Sequence, residues 1–276
     1  MAANGSKVTT SQPPTTGPLK SGLFFREYNP EGRETLVLLH DLFHNGESQW
    51  NAVRPFFPSE LRVLAVDLPG HGYSPVPEGG FNDTPRQFSV MINQWMTQNV
   101  RGACHIVASG LGAYAALHVA LGYPQRVASL TLAGFLHHAD ATVRAEWTAQ
   151  RATWNVAMQA TDAMGLASRY QHDRWQQMNL QILDDLVTYP PHTMPDDFER
   201  LEHPLLVVAG DAIEIERKQA LQIRDWSPQG HLAIIPGAGH HVMLDAPGIF
   251  GAIVSRFLRT PTFSYLSFVQ TGKRES

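Results

Sequence analysis

Short apolar runs alternate with helical patterns along most of the chain. Residues 35–39, 62–66, 127–132 and 205–209 are nearly continuous hydrophobic stretches, as expected of strands buried on both faces of a parallel sheet. Residues 22–28 and 231–235 read as further strands. Helical patterns cover residues 50–57, 85–98, 216–225 and 247–258. Strands alternating with helices indicate βαβ units with right-handed crossovers, an α/β fold with a mostly parallel, doubly wound sheet. From about residue 137 to 202 the alternation stops. That stretch is helical in pattern, rich in Trp, Met and Gln, and interrupted by Pro190-Pro191.

At the centre lies residues 104–117, an apolar β-type run that stops at small residues and passes at once into an Ala-rich helical pattern. That is a strand, a very tight turn and a helix packed hard on the strand. Ala108 and Gly112 permit the close approach, and Gly110 sits at the tip.

Composition narrows the picture. The chain has 276 residues, 43% hydrophobic and 17% charged, with a net charge of −4. This suits one large α/β domain with an insertion and gives no reason to expect nucleic acid or an anionic membrane as partner. The single cysteine, Cys104, excludes an internal disulfide and reads as a buried structural thiol. No apolar run approaches the ~20 residues of a membrane span. Residues 1–20 form a Ser/Thr/Pro/Gly-rich tail without an apolar core, so a cytoplasmic protein is expected. The organisation reads as a core over residues 21–136 and 203–268, a helical cap over 137–202 and a C-terminal tail over 269–276. Monomer or homodimer is left open.

Four blocks then carry a resemblance: Leu38-Leu39-His40-Asp41-Leu42, Asp67-Leu68-Pro69-Gly70-His71-Gly72-Tyr73-Ser74, the elbow at Gly110, and Pro236-Gly237-Ala238-Gly239-His240. In this order the chain resembles the α/β-hydrolase superfamily, of the kind with a cap over the active site. The resemblance implies a nucleophile at the elbow, a histidine at His240 (or His241), and oxyanion-stabilising N–H groups at Leu42 and Leu111. The elbow tip, which carries Ser, Cys or Asp in the family, is Gly110 here. The family's acid position is Ile213, and the second known acid location reads Leu132-Ala133-Gly134-Phe135. Asp211 or Glu214 would have to reach His240 out of register. Ser109 is the substitute nucleophile, although a one-residue shift would place Leu111 at the tight strand–helix contact.

Asp41 replaces the usual glycine and sets a negative charge beside the expected oxyanion site, which argues against ester hydrolysis; its other reading is a carboxylate facing solvent. His40 and His71 read as structural. His44, His137, Trp147, Trp154, Trp175 and His241 are candidates to line an apolar pocket for a small, flat ligand. No histidine spacing resembles a zinc site and no phosphate loop is present, so neither metal nor cofactor is expected. The reading is an enzyme that has left hydrolysis behind, using His240 as general acid or base in a lyase, isomerase or cyclase reaction on a small apolar molecule of specialised metabolism. The alternatives are a cofactor-independent dioxygenase resembling those that cleave quinolone rings, an esterase or lactonase using Ser109 or activated water, and a non-catalytic binding module. Gly110 reads as room for a ligand atom, or as an engineered replacement of a serine.

Overall fold

The apolar runs become strands because each residue in them can be buried on one face or the other of a covered sheet. In β2 (Glu34–Leu39), Leu36 and Leu38 pack into one layer and Val37 and Leu39 into the opposite one, all four fully buried. The computed structural model describes residues 22–159, 169, 175–188 and 192–260. The remaining strands are β1 (Phe25–Tyr28), β3 (Leu61–Val66), β4 (Cys104–Ser109), β5 (Val127–Ala133), β6 (Leu205–Gly210) and β7 (Gly230–Ile235). They form a seven-stranded sheet in the order β1-β3-β2-β4-β5-β6-β7, parallel throughout except for β1, which pairs antiparallel with β3. This is the doubly wound α/β-hydrolase fold.

Helices cover both faces. On one, α2 (Thr84–Asn99) and α3 (Leu111–Gly122) bury Phe88, Ile92, Trp95 and Leu117 against Leu64, Ile106 and Leu130. On the other, α1 (Gly46–Trp50), α8 (Val242–Asp245) and α9 (Pro247–Arg259) bring Trp50, Met243 and Phe250 onto Leu36, Val63 and Leu206. Cys104 is buried with a free thiol, which burial pushes up to about 12. Among the described residues, no helix is long and apolar enough to cross a membrane.

Two elements differ from their sequence pattern. The helix expected over residues 50–57 begins earlier, because Asn45 Oδ1 accepts the Glu47 and Ser48 N–H groups while Ser48 Oγ accepts the Asn45 N–H. Past Trp50 the chain holds only a single 3₁₀ turn, Arg54–Phe56, with Pro55 inside it. The first strand is shorter than residues 22–28 suggest and lies on the sheet edge.

Between β5 and β6 the chain forms α4 (Ala141–Gln159), α5 (Trp175–Thr188) and α6 (Pro195–Glu199). Arg151 forks onto the Asp184 carboxylate, joining α4 to α5 at 2.6 and 2.7 Å. Asp185 of α5 accepts the N–H groups of Asp83 and Thr84, capping α2. The insertion is therefore fastened to the core by a helix cap. After it come β6, α7 (Glu214–Trp226) and β7. Both expected tails and residues 261–268 lie outside the described residues.

Candidate active site

β2 ends at Leu39, and the next residue fixes the loop that follows. His40 is fully buried; its Nδ1–H donates to the Asp41 carbonyl at 2.7 Å and its Nε2 accepts the Leu68 N–H at 2.9 Å. Burial keeps this imidazole neutral, well below the usual histidine range. The Asp41 N–H donates to Gln49 Oε1. With its backbone held on both sides, Asp41 turns inward.

Its carboxylate lands where two N–H groups converge. Leu42 N–H and Leu111 N–H both donate to Asp41 Oδ1 at 2.7 Å. Leu111 opens α3, whose N-terminus favours an anion. Gly110 has φ +48°, ψ −118° and offers no side-chain cap, and a Cβ built on it would overlap the Asp41 carboxyl group outright. The room expected above Gly110 for a ligand atom is thus filled by the side chain of Asp41. The reading of Asp41 as solvent-facing is corrected by the same contacts.

The other oxygen meets the histidines. His240 Nε2–H donates to Asp41 Oδ2 at 2.9 Å, and His241 Nε2–H donates to the same atom at 3.1 Å. On its far side, His240 Nδ1–H donates to Glu216 Oε1 at 2.5 Å. Both of its ring nitrogens face carboxylates, which only accept, so the ring carries both protons. Burial opposes that charge, but Asp41 and Glu216 together raise His240 well above the ordinary histidine value. Burial likewise opposes ionisation of Asp41, and the two histidines override it, holding the carboxyl well below the carboxylate range. His240 is therefore an imidazolium at neutral pH. Gly134, φ +53°, makes room for it: a Cβ there would lie 2.6 Å from the His240 carbonyl oxygen and 3.0 Å from its ring.

Glu216 is the acid that sequence reasoning missed. It sits in the first turn of α7, one turn beyond the family's position at Ile213, and is 4% exposed. A signal was present: Glu216, Gln219, Ala220 and Ile223 share the buried face of α7 at the i, i+3, i+4, i+7 spacing. A charged residue on an inward stripe is a candidate for paired chemistry.

These groups form the floor of a cavity of about 370 Å³. Leu136, Val143, Trp147, Leu183, Leu186 and Ile215 supply its apolar wall, drawn from β5's exit, α4, α5 and α7. Asp41, Leu42, Gly110, Leu111, Trp147, His240 and His241 all line it.

The remaining candidates lie elsewhere. Ser109 is fully buried and outside the cavity wall. Asp211 does not reach His240, because its carboxylate accepts the Gly237 N–H at 2.6 Å; Glu214 pairs with Lys218 on the surface. His44 stands behind His241, ring centroids 5.0 Å apart, and burial lowers it to about 4. His137 bonds Gln222 and meets the Trp226 ring edge-on. Trp175 is buried with Met178 and Ile182 in the hydrophobic core that Phe88 and Ile92 share, outside the cavity wall. The Trp154 side chain falls outside the described residues. Asp41, His240 and His241 are also the group able to hold a metal ion: among the described residues, their three donor atoms lie within 4.8 Å of one another.

Comparison with known proteins follows the same lines. The profile of the alpha/beta hydrolase family matches residues 36–252. A putative 2-succinyl-6-hydroxy-2,4-cyclohexadiene-1-carboxylate synthase of Bacillus subtilis is 24% identical over 257 residues, spanning 83% of this chain and 92% of its own. A pimeloyl-[acyl-carrier protein] methyl ester esterase of Methylococcus capsulatus is 35% identical over 119 residues, 40% of each chain. Among solved structures, NosK from Streptomyces actuosus superposes with a TM-score of 0.71 at 25% identity, covering 83% of this chain and 98% of its own.

Proposed function

The chain belongs to the alpha/beta hydrolase family, and on that footing we propose an enzyme that works by proton transfer rather than hydrolysis. The reading rests on one observation: the Asp41 carboxylate occupies both backbone N–H groups and the space above Gly110. An acyl-transfer mechanism needs a nucleophile at the elbow and free donors for the oxyanion. Here the first is absent and the second are spent on a side chain that carries the wrong charge to yield them.

What replaces them is an acid and a base in contact. The imidazolium of His240 offers Nε2–H to a substrate oxygen as negative charge develops there. Asp41 Oδ2, losing that hydrogen bond but keeping the one from His241, accepts a proton from the same substrate. Glu216 holds the ring's orientation and its charge from behind. Such a pair moves a proton between two substrate atoms, as elimination, isomerisation and ring closure require, and positioned acid–base groups supply about 10²–10⁴ in rate. A small, largely apolar molecule fits the volume and the lining. The resemblance over most of the chain to a protein named as a synthase supports the same direction.

The test is isotopic. Turnover of a candidate substrate in D₂O places solvent deuterium in the product, H₂¹⁸O leaves no label, and His240→Ala lowers the rate by about 10² or more. Uptake of ¹⁸O with an undiminished His240→Ala rate overturns the proposal.

A further inference from the structure

The Asp41–His240–His241 cluster has a second capacity that proton transfer does not use. Asp41 Oδ2 stands 2.9 Å from His240 Nε2 and 3.1 Å from His241 Nε2. Neighbouring ligands around a divalent ion with bonds of about 2.1 Å are separated by about 3.0 Å when they subtend a right angle. The two separations from the carboxylate oxygen are those of adjacent ligands on one ion, and all three donor atoms lie within 4.8 Å of one another.

The surroundings are built in the same sense. Oδ1 is locked by Leu42 and Leu111, which leaves Oδ2 to act as a monodentate ligand. His240 passes its other ring N–H to Glu216, the carboxylate support that metal-binding histidines use to fix their orientation and raise their basicity. The positions an ion would leave open face the apolar cavity. Two imidazoles and one carboxylate suit zinc, cobalt, nickel or iron(II) and are a poor match for magnesium or calcium, which prefer oxygen.

We propose that Asp41, His240 and His241 form a binding site for a borderline divalent transition-metal ion, which takes the place of the hydrogen bonds from the two Nε2 atoms to Asp41 Oδ2. In the structure, each ring nitrogen directs its proton at Oδ2. An ion entering between them takes the place of the His240 Nε2 proton, while His241 turns a bare Nε2 to the ion as its Nδ1–H tautomer. The two occupants exclude each other: with the ion bound, His240 has no Nε2 proton to give and Oδ2 is no longer a base. The inhibitory consequence rests on the proton-transfer reading above, whereas the site itself does not.

Calorimetric titration of the metal-free full-length chain with cobalt(II) chloride, in two buffers of different ionisation enthalpy, tests the site without reference to turnover. The expected result is one ion per chain with release of about one proton, from His240, and the visible absorption of a low-symmetry cobalt centre. His241→Ala, at a side chain 35% exposed, weakens binding about tenfold to hundredfold, and Asp41→Asn does at least as much. His138→Ala, which breaks the separate His138–His192 contact, leaves binding unchanged. Absence of saturable binding at millimolar cobalt, binding indifferent to His241→Ala, or binding lost in His138→Ala each overturns the site. If the site stands, zinc suppresses the turnover defined above; cobalt binding without zinc inhibition overturns the proton-transfer reading alone.

Discussion

Adding one methyl group at position 110 probes the arrangement of Asp41 directly. In Gly110→Ala the new Cβ falls on the Asp41 carboxyl group, so the carboxylate must leave its place. Leaving breaks two short hydrogen bonds from Leu42 and Leu111, each charge-assisted and worth about 1.5–3 kcal/mol. The backbone at φ +48°, ψ −118° adds strain for any residue with a Cβ, about 1–3 kcal/mol. Partial rehydration of the displaced carboxylate offsets some of this, leaving an expected loss of about 4 kcal/mol. That is a large part of the ~5–15 kcal/mol by which domains are stable. A double-mutant cycle separates the contributions. In an Asp41→Gly background nothing occupies the space, so Gly110→Ala retains only its strain, and the coupling between the two positions is about 2–3 kcal/mol. Urea unfolding of the four proteins measures it. Equal losses in both backgrounds would refute the placement of Asp41 above Gly110.

Three further outcomes follow. The double variant Asp41→Gly, Gly110→Ser vacates the two N–H groups and supplies a hydroxyl beside His240 and Glu216; it gains hydrolysis of p-nitrophenyl acetate, which neither single variant shows. The native chain is not labelled by a serine-directed fluorophosphonate, because Ser109 is fully buried; labelling that disappears in Ser109→Ala contradicts this. Stability peaks near neutral pH. His44, at about 4 when folded against ~6.5 unfolded, stays neutral while the unfolded chain takes up a proton, so stability falls between pH 6.5 and 4 by at most about 3 kcal/mol, and the buried His40 acts with the same sign. His240, raised on folding, stabilises fully below ~6.5 and loses that contribution as pH rises through its folded value. Urea midpoints across pH 4–9 check both slopes.

The sheet was legible because burial on both faces writes itself as continuous apolar residues, and each expected parallel strand appears within a residue or two of its bounds. The short helix at Gly46–Trp50 was missed because a reciprocal cap at Asn45 and Ser48, not apolar periodicity, decides where it starts. His240, Leu42 and Leu111 could be placed from loop motifs alone. Asp41 could be located but not aimed: its direction depends on the volume left by Gly110, a residue 69 positions away (110 − 41). Glu216 escaped a search by register, since a helical turn carries an acid across a distance that the loop pattern spans in three residues. The cluster of Asp41 with His240 and His241 has no spacing signature either, joining residues 199 and 200 positions apart.

The interlock of Gly110 and Asp41 also orders the routes by which such a protein changes. A serine placed at 110 while Asp41 remains meets an occupied space, so that step is closed by sterics. Removal of Asp41 first leaves two buried donors unpaired but no overlap, and only from there does a serine fit. Between this chain and a hydrolase lies a path with one passable corner, and random single substitutions at Gly110 do not find it.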